Sequence, residues 1–348
     1  MIEALPSAKY ELIREMTACD NNQLNIVWLC EIAGVSRSGY YRWLAAEPER
    51  QRREEQDRAD FELILEAYLF RGYAKGGRGI HMRLLHLETP VVINLKKIYR
   101  LKNKYNLRCP IRSANPYRRM AKALRTSNVA DNIVNREFEE HGARAVLLTD
   151  ITYIRRGDGE FSYLSAVKDA GSKEILAWVA SASLEVDFVL QTVEQLIAKH
   201  GTELKTNTLL HSDQGCHYTS YAFIDLLKSE QLRQSMSRKA NCWDNAPQES
   251  FFGHMKDELS FSKCVTHEDV VRVLDDWMDY YNNDRYQWEL AKLSPAEYYK
   301  YVTTGVYPLP IPPPKNAIVP LEGAAPEPPE FIALVSGEGV GKEKDDTS

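Results

Sequence analysis

The chain has 348 residues, 44% of them hydrophobic and 10% aromatic, which is enough to bury hydrophobic cores and favours two or three domains. No run approaches the roughly 20 apolar residues that a membrane helix needs, and Met1–Tyr10 lacks the apolar segment of a secretory signal. The net charge is −5, and the six cysteines form neither a CxxC pair nor a Cys/His cluster at zinc spacing. We therefore expect a cytoplasmic protein with reduced thiols and no membrane contact.

Residues 23–46 are typical of a helix-turn-helix motif, and we predict a DNA-binding domain over residues 1–50. Gly34 supplies the turn, and Ser36 can cap the second helix. We expect the first helix to bury one apolar face, made of Ile26, Val27, Leu29 and Ile32. The second helix carries side chains of the types that contact bases and phosphates, namely Arg37, Ser38, Tyr40, Tyr41 and Arg42. A plain pair of packed helices is the alternative.

A second helical DNA-binding region with a basic linker is predicted over residues 51–128. Residues 47–70 mix charges of both signs before they become apolar, which indicates a helical connector with pairs such as Glu54–Arg58. Asn94 can cap a further helix.

The same region contains a basic block between residues 91 and 128, with eleven basic residues and no acid. Its members are Lys96, Lys97, Arg100, Lys102, Lys104, Arg108, Arg112, Arg118, Arg119, Lys122 and Arg125. Such a block repels itself unless anions neutralise it, so we interpret it as a nucleic-acid footprint in which Arg118 and Arg119 contact phosphates. A solvated basic linker is the alternative.

Short β-rich runs that alternate with helices predict an α/β layer over residues 140–303. Three strands with short connections indicate an antiparallel meander, at Ala145–Ile154, Phe161–Lys168 and Glu174–Ser181. Two further strands, each preceded by a helix, are predicted at Thr208–His211 and Leu232–Met236. Residues 267–302 predict a long helix, a polar stretch and a short helix that starts at a proline. The chain then becomes Pro-rich and acidic, and we predict a disordered tail over residues 308–348.

A helix is also predicted within residues 235–259. Three residues indicate where it starts. Asn245 can cap the helix, Pro247 lies in the first turn, and Gln248 can act as the capping-box partner of Asn245. Glu249 and Lys256 are nearly two turns apart and share a face. With the basic approach provided by Arg238 and Lys239, this face would suit a site that holds a metal and a phosphodiester together. An amphipathic helix with ordinary surface charges is the alternative.

Three acids on three different elements are candidates for chemistry. Asp150 interrupts an apolar strand, Asp213 follows the next apolar strand, and Glu249 begins a helix. They converge only if the first and fourth strands are neighbours. Three oxygen ligands without Cys or His suit Mg²⁺ or Mn²⁺, which can activate water or a 3′-hydroxyl for phosphoryl displacement. Each acid alone has another interpretation; Asp150, for example, could form a salt bridge with Arg155 or Lys168.

The joint pattern resembles the D,D(35)E transposases and retroviral-type integrases, because Asp150 is followed by Asp213, by 35 intervening residues, by Glu249 and then by Lys256. A closer resemblance is to the second-frame (OrfB-type) product of bacterial insertion sequences. Three stretches carry it: HSDQGCHYTS, SMSRKANCWDNAPQESFFGHMKDEL and YYNNDRYQWELAKLSPAEYY. The resemblance spans residues 25–303.

The resemblance implies a multidomain chain, with an all-α helix-turn-helix N-terminal region followed by an α/β ribonuclease H-like catalytic core. Asp150, Asp213 and Glu249 would be catalytic metal ligands, for two Mg²⁺ or Mn²⁺ ions per active site when DNA is bound, and Lys256 would contact the transposon-end DNA. Expected partners are double-stranded DNA (the terminal repeats and the target), further copies of the chain, and an upstream-frame protein or fusion. We expect the protein at the bacterial nucleoid.

Two other functions fit parts of the pattern. A non-catalytic DNA-binding repressor derived from such an element would keep the helix-turn-helix and the basic block, with the acids incidental. A ribonuclease H-type nuclease would act on RNA·DNA hybrids, although the helix-turn-helix favours duplex DNA.

Overall fold

The computed structural model describes six stretches of the chain: residues 5–19, 25–110, 142–204, 208–213, 215–237 and 246–314. Contacts divide the chain into two units, Met1–Thr126 and Ser127–Ser348. The predicted tail lies outside the described residues beyond Pro314, and four predicted DNA contacts also lie outside them: Arg118, Arg119, Arg238 and Lys239. Within the described stretches, no helix combines the length and apolar character needed to cross a bilayer.

The described part of the first unit is helical. Its α-helices are α1 Pro6–Ala18, α2 Ile26–Ala33, α3 Arg37–Ala45, α4 Glu47–Leu69, α5 Gly77–Leu85 and α6 Leu95–Lys104. Between α2 and α3 the chain turns at Gly34, whose φ of 65° suits glycine. The backbone N–H of Gly39 donates to the side chain of Ser36 at 3.1 Å, which caps α3. Two helices and a turn are therefore found where they were predicted.

The burial of α2 and α3 differs from the prediction at two positions. Leu29 is buried as expected, but Ile32 is 71% exposed. Tyr40, predicted to face DNA, is buried and packs against Tyr10 of α1 with ring centroids 6.1 Å apart. A Cβ atom on Gly39 would lie 2.2 Å from the hydroxyl of Tyr10, so this glycine allows α1 and α3 to approach closely.

Part of the basic block is neutralised within the unit by α4. The buried stripe of α4 continues from Ile64 and Ala67 into Asp57 and Asp60. Arg100 of α6 donates to both carboxylate oxygens of Asp57, at 2.6 and 2.7 Å. Two more bases of α6 form ion pairs with acids of α4, namely Lys97 with Asp60 and Lys104 with Glu54 and Asp57. These three bases therefore have counterions on α4, and the nucleic-acid role of the basic block stays a prediction.

The second unit contains a mixed sheet covered by helices. Its strands are β1 Val146–Arg155, β2 Phe161–Asp169, β3 Ile175–Ser181, β4 Leu209–Ser212 and β5 Arg233–Met236. Its α-helices are α7 Asp187–His200, α8 Tyr221–Ser229, α9 Ala246–Glu258, α10 His267–Asn283 and α11 Pro295–Thr304. The five strands have the order β3-β2-β1-β4-β5, with β1, β2 and β3 antiparallel and with β4 parallel to both β1 and β5. The predicted meander and the neighbouring first and fourth strands are confirmed.

Helices cover the two faces of this sheet. Alternate residues of β1 point to opposite faces. Leu147 belongs to the main core, together with residues of α7 and α8 such as Val193 and Phe223. Asp150 is two residues from Leu148 and therefore lies on the other face, where α9 packs near β1. The sheet thus brings the Glu249 helix and Asp150 to the same side.

Candidate active site

Asp150 lies in the middle of β1, directly across from Ala166 of β2. The backbone N–H of Ile151 donates to Asp150 Oδ1 at 2.8 Å. Burial raises the pKa of Asp150 to about 7, and the negative charges of Asp213 and Glu249 add to this shift, whereas Lys256 opposes it. The charges of Asp213, Glu249 and Lys256 are therefore near enough to act on Asp150.

Strand register explains how Asp213 comes close to Asp150. The last registered pair between parallel strands β1 and β4 is Leu148 with His211. Asp150 and Asp213 each follow two residues later, so they leave neighbouring strands, roughly 4.8 Å apart, on the same face. Asp213 is exposed, and the N–H of Gly215 donates to its Oδ1 at 2.9 Å. The prediction that these two acids meet at adjacent strands agrees with the sheet order.

Glu249 and Lys256 project from α9, and both side chains are exposed. The buried face of the helix holds Phe251, Phe252 and Met255. The ring of Phe251 lies 4.9 Å from that of Tyr281 on α10, as measured between centroids. Aromatic packing on one face of α9 therefore leaves its other face, with the acid and the lysine, open to solvent.

Two buried side chains connect the start of α9 with β2. Gln248 is fully buried, and its Nε2 donates to the carbonyl oxygen of Ala166 at 3.3 Å. Lys168, one of the two predicted partners of Asp150, donates instead to the carbonyl oxygen of Pro247 at 3.0 Å. Hydrogen bonds between β2 and the first turn of α9 therefore engage both residues. The predicted cap Asn245 lies outside the described residues.

The residues fit a divalent cation by their chemistry. Mg²⁺ and Mn²⁺ prefer carboxylate oxygens, and a buried acid beside two others is costly unless a cation or a proton neutralises it. In the part of the chain that the structure describes, however, no three His, Cys, Asp or Glu side chains lie close enough together to hold a metal ion. Joint ligation by Asp150, Asp213 and Glu249 thus requires side-chain movement, for which the exposed Glu249 has room.

Two buried residues support the loop that carries Asp213, and sequence reasoning missed both. Tyr218 is buried; burial raises its pKa well above the usual value, and the charges of Asp150 and Asp213 add to the shift. His211 is fully buried and contacts two serines of the β5 edge, Ser235 at 3.0 Å and Ser237 at 3.1 Å. The only available signal was the position of both residues within HSDQGCHYTS.

The predicted DNA contacts of the first unit are placed on its surface. Arg37, Ser38, Tyr41 and Arg42 are all exposed on α3. Their exposure leaves them available for phosphates and bases. Their role therefore stays a prediction.

The second unit matches known protein-family models. Two family models described as "Integrase core domain" match residues 140–242 and 230–295. Together with the mixed sheet, these matches support the predicted ribonuclease H-like core.

Three curated proteins are also similar to the chain. The "Insertion element IS600 uncharacterized 31 kDa protein" of Shigella sonnei is 28% identical over 272 residues, which cover 78% of this chain and 97% of that protein. An "Uncharacterized transposase-like protein" of Haemophilus influenzae is 32% identical over 216 residues, covering 61% of this chain and 95% of that protein. The "Putative transposase InsK for insertion sequence element IS150" of Escherichia coli is 31% identical over 210 residues, covering 59% and 71% respectively.

Proposed function

The chain belongs to the insertion-sequence transposases that carry an integrase core domain, and we propose that it cleaves the ends of its element and joins the freed 3′-hydroxyl to a second DNA strand. The observation that carries this proposal is the position of Asp150 on β1 and of Asp213 just after β4, each two residues beyond the last registered pair of these adjacent parallel strands, with Glu249 near enough for its charge to act on Asp150.

Each site residue has a role that follows from its position. Asp150 and Asp213 would hold a divalent cation from the side of the sheet, and Glu249 would add a carboxylate ligand from α9. Lys256, two turns further along the same exposed face, holds a phosphate of the element end. When bound, Mg²⁺ or Mn²⁺ supplies Lewis-acid activation of water or of the 3′-hydroxyl and stabilises the leaving oxygen.

DNA recognition belongs to the helical N-terminal unit in this proposal. The exposed residues of α3 read or clamp the terminal repeat, as the second helix of a helix-turn-helix does. Arg118, Arg119, Arg238 and Lys239 contribute phosphate contacts. Because two element ends must be held together for joining, we propose that the protein acts as a homo-oligomer on double-stranded DNA, alone or with an upstream-frame protein.

A cleavage assay with a matched substitution tests the proposed function. Asp213→Asn should retain binding to the DNA that flanks its own gene, because the amide keeps the shape of the loop. Mg²⁺-dependent nicking should fall by more than the roughly 100-fold that loss of a mere outer-shell partner costs. Asp225→Asn provides the control, since Asp225 is exposed on α8 and pairs only loosely with Lys228 at 3.9 Å. Undiminished nicking by Asp213→Asn would remove the metal assignment.

A non-catalytic DNA-binding repressor is the second candidate, and one observation favours it: no three potential ligands in the described residues are within reach of one ion. Such a protein would bind element-end DNA and produce no nick with Mg²⁺ or Mn²⁺. The same assay on the wild-type chain therefore separates the two functions.

A further inference from the structure

Two buried polar side chains fasten the first turn of α9 to strand β2. Lys168 is 4% exposed, and its Nζ donates to the carbonyl oxygen of Pro247 at 3.0 Å. Gln248 is fully buried, and its Nε2 donates to the carbonyl oxygen of Ala166 at 3.3 Å. The two bonds run in opposite directions, one from strand to helix and the other from helix to strand, so together they restrain α9 against sliding on the sheet.

The point of attachment is set by the strand register. Ala166 is the direct cross-strand partner of Asp150, and Gln248 immediately precedes Glu249 in the chain. The Gln248–Ala166 bond is therefore one peptide unit from Glu249 on the helix and one cross-strand step from Asp150 on the sheet. Any displacement of this turn would change the distance between the carboxylates of Asp150 and Glu249.

Burying these two polar side chains costs free energy that apolar side chains at the same positions would not cost. An ammonium or amide that is removed from water costs free energy unless its hydrogen bonds are restored. Gln248 Oε1 is buried and lacks a hydrogen-bond partner among the described residues. The ring centroid of Phe251 lies 5.7 Å from Lys168 Nζ. A methionine and a leucine have similar sizes and carry no polar atoms that need partners, so packing alone does not require this pair.

We propose that Lys168 and Gln248 are positioning residues that hold Glu249 at the distance from Asp150 that a shared divalent cation requires. This inference rests on the proposed function, because it assumes that both acids serve one metal site. Both side chains are buried rather than exposed on the surface. Their effect is exerted through the first turn of α9.

The test uses the full chain with Lys168→Met and Gln248→Leu, and Thr192→Val as the matched control. Thr192 is equally buried, and its hydroxyl donates to the carbonyl oxygen of Phe188 on α7, away from α9. We expect Lys168→Met and Gln248→Leu each to join pre-cleaved element ends about 10-fold more slowly at saturating DNA, since misplacement by about 1 Å can cost up to 100-fold. The dissociation constant for DNA should stay within about twofold, which separates positioning from binding.

A second readout needs no catalysis. Mn²⁺ alone should raise the thermal unfolding midpoint of the wild-type chain, because a ligand that binds only the folded state stabilises it. The Mn²⁺ concentration that gives half of that shift should rise about fivefold in Lys168→Met and in Gln248→Leu, and stay unchanged in Thr192→Val. If Lys168→Met does not fold, Gln248→Leu carries both measurements.

The outcomes distinguish failure of the positioning role from failure of the proposed function. If Lys168→Met and Gln248→Leu both show wild-type joining rates and Mn²⁺ titrations while Asp213→Asn is inactive, the positioning role is overturned and the proposed function stays intact. Full activity of Asp213→Asn, or a wild-type chain with neither joining nor an Mn²⁺ shift, would overturn the proposed function and the positioning role together.

Discussion

Glu258 joins the last turn of α9 to α10, and its replacement by glutamine should weaken the second unit strongly. Arg285 donates to Glu258 Oε1 through Nη2 at 2.7 Å and through Nε at 3.0 Å, and Trp277 Nε1 donates to Oε2 at 3.1 Å. The side chains of Arg285 and Glu258 are only 18% and 8% exposed. Glutamine keeps one accepting oxygen but leaves the guanidinium with no anionic partner there. Breaking a buried pair in this way costs about 3–5 kcal/mol, and we expect the lower end because Arg285 retains some solvent.

Hydrogen exchange of peptides from α10 in the full chain measures this loss directly, since protection there reports local and global opening. Glu289→Gln is the matched control, because Glu289 is 81% exposed in its pair with Lys173 and such pairs contribute about 1 kcal/mol or less. A loss of protection below about 1 kcal/mol for Glu258→Gln, equal to that of the control, would refute the reasoning.

Three further predictions concern charge. Arg100 and Lys104 hold the pKa of Asp57 well below its usual range. The contribution of Asp57 to stability is therefore present above the unfolded pKa of about 3.9 and is lost as the pH falls below that value. In urea denaturation, Asp57→Asn should destabilise the first unit by about 1.5–3 kcal/mol at pH 7, and the difference should vanish in acid. Burial lowers the pKa of Lys168 to about 7, so the unfolded chain binds more protons than the folded one between about pH 7 and 10.4. Stability should therefore rise with pH across that range in the wild type but not in Lys168→Met. Equal pH profiles of the two proteins in urea denaturation would contradict this. Replacing Arg118 and Arg119 by Ala should flatten the salt dependence of DNA binding by about one to two units, whereas Arg100→Ala should leave the slope unchanged because Asp57 already neutralises that residue.

The sheet and its acids were accessible from sequence because local patterns and a few topological rules determine them. The branched apolar run around Asp150 indicates a buried strand, and short connections force the antiparallel meander. Asp213 follows an apolar strand that had to lie next to β1 if the acids were to meet, and the register confirms that neighbourhood. The spacing to Glu249 then identified the third acid.

Features that depend on contacts distant in sequence were not accessible. Arg100 and Asp57 are 43 residues apart, so the bases of α6 appeared free of counterions. Gln248 satisfies the local rule for a capping box, but the carbonyl oxygen of Ala166, 82 residues away, engages its side chain. Tyr40 looked like a surface residue because α1, which packs against it, was not predicted.

The central claim is that Asp150, Asp213 and Glu249 gather around a divalent cation, and anomalous diffraction from crystals with Mn²⁺ and element-end DNA tests it most directly. We predict a manganese peak within about 2.2 Å of a carboxylate oxygen of Asp150 and of Asp213, with Glu249 completing that ion or a second one beside it. Manganese bound elsewhere, with Glu249 still turned to solvent and the two aspartates without metal, would contradict the claim.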